Sequence, residues 1–314
     1  MLRQLHRHSI WQGKHLPPAG VELDRTHPRA KDLLGLWVPH SPGLYGTVYD
    51  SPGTAPVKMR DLSPHRRDGH FNRGPIGGQT PGKWVVDRAG PGFFLDGGQY
   101  GRFDVTPTRA ADWNFQGAFT FMCRVRLNVL VTADGSARVF VGRSDGGGPL
   151  NTKWWWAWCE HDILAAVTTH RIIFRMYENG GVAETVISTA TWDPTVTDIY
   201  TVAVTRGVDK TFTFYLDGHP LGVTVSSTSI MPIPISTDLS WGFGEDFGFN
   251  LAGTFFWMKA WKRDLLPREV AAEHASPWEM LSWRLGISGF PGVAAGPTRA
   301  WAYVDEAMLM GIAS

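Results

Sequence analysis

The chain is poor in the residues that staple small folds, with two cysteines, Cys123 and Cys159, among 314 residues. That count excludes a disulfide scaffold and a four-thiolate metal site. Both cysteines stand in strand-like runs, where a thiol packs as a small hydrophobe. Two reduced, buried thiols are expected, and a bridge between them would require their strands to pair. Charge is also scarce: 19% of residues are charged, with 30 Lys plus Arg against 29 Asp plus Glu. So even a balance exerts no global pull on nucleic acid or on an anionic membrane. The short run His65-Arg66-Arg67 reads as a solvated turn, and no nucleic-acid partner is expected. No window approaches the roughly 18 uninterrupted apolar residues of a membrane span, so no membrane insertion is expected. Met1-Leu2-Arg3-Gln4-Leu5-His6-Arg7-His8 has the charge of a signal peptide without the apolar stretch that must follow. The expectation is synthesis in a host cytoplasm without a signal peptide. No repeat of fixed period occurs, and His65, His70, Cys159 and His161 lack zinc spacing.

What the chain has in excess is aromatic: 15 Trp, 17 Phe and 7 Tyr, alongside 36 Gly and 21 Pro. Aromatics punctuated by glycine and proline favour an all-β fold. With 43% hydrophobic residues there is ample material for a core. Length alone suggests about two domains, but a β-sandwich commonly fills about 200–250 residues as one unit. One sandwich over residues 26–282 is expected, with an N-terminal arm at 1–25 and a C-terminal arm at 283–314.

Alternation places the strands. Leu33, Leu34, Leu36 and Trp37 start the sandwich; residues 40–82 are loop-rich, with a brief strand at 57–59. Trp84-Val85-Val86 and Gly92-Phe93-Phe94-Leu95 precede the turn Asp96-Gly97-Gly98, with Arg102–Val105 as the returning partner. Over 118–128, Phe119, Phe121, Cys123, Val125 and Leu127 share one face, and Thr120, Arg124, Arg126 and Asn128 share a wetter one. Further strands are predicted at 137–143, 153–159, 171–177, 182–189, 199–206, 211–216, 221–226, 239–243 and 252–261. In the last, Phe255, Trp257 and Trp261 are assigned to one face. Phe212, Phe214 and Leu216 point inward in a hairpin turned by Asp217-Gly218. The one helix spans 267–275, with Pro267 at its first position and Pro277 beyond its end.

Several segments together resemble the laminin G-like, concanavalin A-like jelly rolls found in bacteriophage structural proteins and bacterial surface proteins. His27-Pro28-Arg29-Ala30 through Leu36-Trp37 is similar to the opening of these domains. Arg60-Asp61-Leu62-Ser63 through Asp68-Gly69 resembles their "D-SG-N-G" segment, with Pro64 where glycine is usual. Phe94-Leu95-Asp96-Gly97 with Tyr100, Phe119-Thr120-Phe121, Tyr200–Val204 and Tyr215-Leu216-Asp217-Gly218 follow in the family's order. Lys262–Val270 is similar to the helix after the last core strand, and Ser276-Pro277-Trp278-Glu279-Met280-Leu281 to the segment that closes many phage versions. The resemblance covers residues 26–282 and implies an antiparallel two-sheet β-sandwich. Folds of this class host lectins, adhesins, hydrolases and capsid accessories alike, so function rests on sites.

Hydrolases on this sandwich need two carboxylates flanking the scissile bond. Glu160-His161-Asp162 offers a start, but Leu164 and Ala165 stand where the second glutamate belongs, and Glu245-Asp246 has the wrong spacing. No G-x-S-x-G elbow is present. The expectation is no enzyme. In the run Trp154-Trp155-Trp156-Ala157-Trp158, Trp154, Trp156 and Trp158 share a strand face. That row could be core packing, a protein contact or a glycan platform, and the sequence leaves all three open. Asp96, Asp217 and Asp246 occupy turns where a calcium ion could sit, as the resemblance implies for many laminin G-like domains, or where they simply cap backbone. No other cofactor is expected. The reading is a non-enzymatic virion-associated protein at a particle surface, decorating a capsid or forming part of a tail or fibre. Its partners would be other virion proteins or copies of itself. A glycan-binding adhesin contacting surface polysaccharide, and a divergent glycoside hydrolase, are the alternatives.

Overall fold

Strand β8 (Phe119–Leu127), the clearest alternation in the sequence, lies at the middle of one large sheet. That nine-stranded sheet runs β15 (His219–Pro220), β14 (Thr211–Leu216), β13 (Ile199–Arg206), β8, β18 (Ala252–Trp261), β6 (Gly90–Asp96) and β5 (Lys83–Asp87). β16 (Val225–Ser226) also pairs with β14, and β2 (Leu33–Trp37) with β18. The facing sheet has eight strands: β12 (Gly181–Ile187), β11 (His170–Glu178), β10 (Lys153–Glu160), β9 (Ala137–Ser144), β17 (Leu239–Trp241), β7 (Phe103–Val105), β4 (Gly69–Phe71) and β3 (Lys58–Met59). A two-stranded sheet joins β1 (Val21–Leu23) and β19 (Leu281–Trp283). In this computed structural model the described residues are 21–39, 58–59, 61–71, 83–87, 90–97, 103–105, 113–128, 137–144, 152–160, 170–178, 181–233, 239–242 and 250–283. The chain divides into two compact units, Met1–Ser282 and Trp283–Ser314, and all described residues but Trp283 fall in the first. β1 falls within the N-terminal arm expected at 1–25; of the two arms only residues 21–25 and Trp283 are described.

Every pairing with a described register is antiparallel, and the result is a two-sheet β-sandwich of jelly-roll type. Its interior is aromatic. Phe119, Phe121, Cys123, Val125 and Leu127 of β8 are all 0% exposed and face the other sheet. Trp154 stacks between Phe121 at 5.3 Å and Phe174 at 5.7 Å, while Trp241 meets Trp37 edge-on at 6.0 Å. Burial of each such side chain stabilises the fold by roughly 1.5–3 kcal/mol. Ring pairs in these geometries add about 0.5–1.5 kcal/mol.

The opposite face of the nine-stranded sheet is not wet where the sequence suggested. Arg124 and Arg126 are half-buried, but Thr120 and Met122 are fully buried. They lie beneath a second apolar cluster that includes Leu33, Leu36, Trp257, Trp261, Val270 and Trp278. Helix α1 (Pro267–Ala275) and the segments that follow it and precede β2 supply that cover, so β18 is buried along its whole length. A register shift between Phe255 and Trp257 inserts one extra residue in β18. Phe255 therefore packs between the sheets, while Phe256, Trp257 and Trp261 point to the back. This corrects the shared face assigned to Phe255, Trp257 and Trp261: a bulge flips the alternation.

A second correction concerns Asp96-Gly97. Gly97 does take positive φ, 82°, but β6 pairs with β5 and β18, whereas β7 belongs to the other sheet. The connection crosses between sheets and is no hairpin. By contrast, Asp217 (φ 48°) and Gly218 (φ 83°) do turn a tight hairpin between β14 and β15, as expected. A Cβ at residue 218 would also stand 3.0 Å from that of His274 on α1, so glycine lets the turn sit against the helix.

Candidate functional site

The tryptophan run comes first because it is the most distinctive stretch of the sequence. β10 sets Trp154 and Trp156 across from Met176 and Phe174 of β11, and both indoles are buried in the core, 1% and 0% exposed. Neither presents a face to a sugar or a partner protein. Trp158 stands opposite Ile172, a core residue; its side chain lies outside the description. Cys123 is a free, buried thiol whose titration is pushed up by desolvation. β8 and β10 belong to different sheets, so the strand pairing that a Cys123–Cys159 bridge required does not occur.

Of the three turn aspartates, the two that are described, Asp96 and Asp217, do not converge. Between Asp96, at the end of β6, and Asp217, at the end of β14, stand β13, β8 and β18. At about 4.8 Å per strand that is roughly 19 Å, too far to share a cation whose ligands sit at about 2.3–2.6 Å. The Asp217 carboxylate accepts from Thr201 N–H at 2.7 Å and lies 3.9 Å from His274 Nδ1. Asp246 lies outside the described residues, as do Asp162 and Glu245. Glu160 ends β10 opposite His170. Among the described residues, no group of three or more His, Cys, Asp or Glu is placed to hold a metal ion.

Carboxylates that are described and well buried hold the chain together. Asp61, from the "D-SG-N-G" segment, accepts from Leu36 N–H at 2.9 Å, Ser63 N–H at 2.8 Å, Ser63 Oγ at 2.6 Å and Arg67 N–H at 2.8 Å. Burial raises its carboxyl above the usual range, against the pull of these donors. Glu273 of α1 is 0% exposed and is shared by Lys259 Nζ at 2.5 Å and Arg29 Nη1 at 2.8 Å. Lys259 also donates to Pro277 O at 2.5 Å and lies over the Trp257 and Trp278 rings at 4.8 and 5.3 Å. Its ammonium is held below the usual lysine range by desolvation, with Glu273 pulling the other way. Arg29 pairs further with Glu279. These contacts pin the helix and both flanking segments to the back of β18.

A polar cluster unforeseen in the sequence lies on the outward face of the eight-stranded sheet. Ile172, Phe174 and Met176 of β11 point into the core, so Arg171, Ile173, Arg175 and Tyr177 point away from it. Arg175 Nε donates to Thr185 Oγ1 on β12 at 2.9 Å, and its Nη1 lies 3.4 Å from Tyr177 Oη. Lys153 Nζ sits 5.1 Å above the Tyr177 ring. Arg175 and Thr185 are half-exposed, while Tyr177 and Lys153 are buried. Of this cluster, the part-exposed Arg175 guanidinium and Thr185 hydroxyl are the groups with the chemistry to hydrogen-bond a polyol. The signal in the sequence is partial: Arg171, Arg175 and Tyr177 fall on one strand face opposite Ile172, Phe174 and Met176, but Ile173 interrupts the polar face.

The architecture recurs in solved structures. The binding domain of Paraclostridial mosquitocidal protein 1 is similar over 79% of this chain and 53% of its own, with TM-score 0.55 and 14% identity. The binding domain of botulinum neurotoxin serotype G is similar over 77% of this chain and 50% of its own, with TM-score 0.52 and 11% identity. A sialidase of Trypanosoma rangeli solved with sialic acid overlaps 85% of this chain and 35% of its own, with TM-score 0.48 and 17% identity. This chain thus spans about half the length of the two toxin domains. At such identities the likeness shows a shared β-sandwich fold. No protein-family model matches the chain, and no curated protein matches its sequence.

Proposed function

We propose that the chain is a binding module that works without catalysis, set in a bacteriophage particle as a capsid decoration or a tail or fibre component. One observation carries the first half of this reading. The well-buried carboxylates Asp61 and Glu273 are committed to backbone donors or cations that hold the fold. Catalysis of glycoside cleavage asks for two acids facing a common cleft, each poised for proton transfer or attack. The fold supports a binding role in a weaker way, since two similar sandwiches are named as toxin binding domains. The particle setting rests on the ordered segments from His27 to Leu281 that resemble phage-associated jelly rolls. Its partners would be other particle proteins or copies of itself, and no cofactor is invoked.

The test is the composition of purified particles. Mass spectrometry and antibody labelling should find the chain on the particle surface. Deleting residues 1–20 should remove it while the isolated protein keeps its strand-rich circular dichroism. Particles without the chain, or undiminished incorporation after deletion, would count against the reading.

A glycan-binding role is the second reading, favoured by the Arg175–Thr185–Tyr177 cluster and no longer by Trp154 and Trp156, which are core. Retention on immobilised polysaccharide, lost in Arg175→Ala, would support it. Retention that survives that change would remove this face from consideration.

A further inference from the structure

Among the described residues β12 and β3 end one large sheet and β15 and β5 the other, and these edge strands differ in how they are guarded. β15 and β16 are two residues each, and β15 contains Pro220. β3 is two residues with Lys58, and β5 carries Lys83 and Asp87 at its ends. The outer side of β2 is taken up by Asp61 and Leu62, which bond to Leu36. Short length, proline and charge are the usual protections against a second strand adding to an edge. β12 lacks the first two and carries a single charge. It offers seven residues, Gly-Val-Ala-Glu-Thr-Val-Ile, with no proline, lysine or arginine. Its one charge, Glu184, is spent within the chain, accepting from Ser227 Oγ at 2.8 Å, Ser229 N–H at 2.8 Å and Thr228 N–H at 3.1 Å.

Those bonds lay the segment around 227–229 beside β12, and exposed apolar side chains gather along the same border. Seven large hydrophobics are exposed among the described residues; Val182 (56%), Val208 (82%), Val223 (69%) and Ile230 (66%) are four of them. Val223 N–H bonds to Thr189 Oγ1, just past β12, and the turn carrying Val208 is tied to Ser227 and Thr228 through Lys210. The other three of this kind among the described residues are Val196, Ile233 and Leu266.

We propose that β12 is the seam of a symmetric homodimer, in which a second copy of this chain adds its own β12 antiparallel to the first. A row of backbone donors and acceptors at a sheet edge is well completed by another strand, and among the described edges β12 is the one that is neither short nor carries proline, lysine or arginine. Two-fold pairing is the commonest oligomer symmetry and needs one self-complementary patch. With the axis normal to the sheet, outward residues meet outward residues. Centring on Glu184 sets like charges opposite, which is unfavourable. Centring on Thr185 sets Thr185 against its copy and Glu184 against Val186, and brings the valine and isoleucine border of each copy toward the other. This inference does not depend on the binding role proposed above.

Sedimentation equilibrium of the full chain tests it. The wild type should be a dimer at micromolar concentration. Val182→Lys, at an exposed position, should weaken the dimer about tenfold or more, as a charge on an edge does, with unchanged circular dichroism. Thr185→Cys should form an intermolecular disulfide on mild oxidation that the wild type does not form. A wild type that stays monomeric, or a dimer indifferent to Val182→Lys and without the Thr185→Cys cross-link, overturns the proposal.

Discussion

The two sides of the nine-stranded sheet are held by different physics. Toward the other sheet, rings and aliphatic chains interdigitate with almost no charge: Phe121, Trp154, Phe174 and Trp241 make that core. On the back, a smaller apolar cluster closes over a buried ion network of Lys259, Glu273 and Arg29, with the exposed Glu279 at its rim. The aromatic side is redundant, since each ring has several neighbours and rings of similar volume can repack. The ionic side is not. Each charge there depends on its partner to offset the cost of leaving water. The aromatic core thus makes the sandwich, and the ion network decides where the helix and the flanking segments sit.

The largest effect should come from emptying the aromatic core. Trp156→Ala removes a fully buried indole packed 4.7 Å from Phe140 and should cost roughly 3–5 kcal/mol in urea unfolding. Phe174→Leu, which keeps most of the volume, should cost distinctly less, which sharpens the claim of redundancy. On the back, Lys259→Met leaves Glu273 and Pro277 O without their ammonium donor and should cost about 3 kcal/mol or more. Adding Glu273→Gln should recover part of that loss; a double variant as unstable as the sum of the singles would break the comparison. Asp61→Asn keeps Oδ1 as an acceptor but puts an NH2 donor where Oδ2 accepts from Arg67 N–H and Ser63 Oγ, and should cost about 1–3 kcal/mol, with hydrogen exchange rising first around residues 61–67.

The smallest effect is a pH dependence at the edge of the ion network. His27 Nδ1 accepts from Arg29 N–H at 3.2 Å, and burial, then Arg29, lowers the His27 pKa. A base whose folded pKa is depressed binds its proton better when unfolded. Its contribution is therefore intact above about 6.5, the ordinary histidine value, and is lost as pH falls through the lower folded value. The melting temperature should decline between neutral and mildly acid pH, and His27→Gln should flatten that decline.

Legibility in the sequence follows the same division. β8, β13 and β14 are readable because period-two alternation along one segment marks the residues that face the other sheet, and the Asp217-Gly218 turn demands positive φ at both positions. Helix α1 is bracketed by Pro267 and Pro277. The bulge at Phe255–Trp257 is invisible to alternation, because the extra residue has no composition of its own. The ion network is hidden for another reason: Arg29 and Glu279 are 250 positions apart, and no local pattern marks them as partners. The tryptophan row illustrates the limit most clearly. Its periodicity fixes which indoles share a face but not whether that face meets water or the other sheet.

Whether the protein binds without cutting is tested most directly by incubating the purified chain with a polysaccharide panel and following reducing ends over time. The account predicts no release above the protein-free control on any substrate. Steady release that is abolished by Glu160→Gln would contradict it.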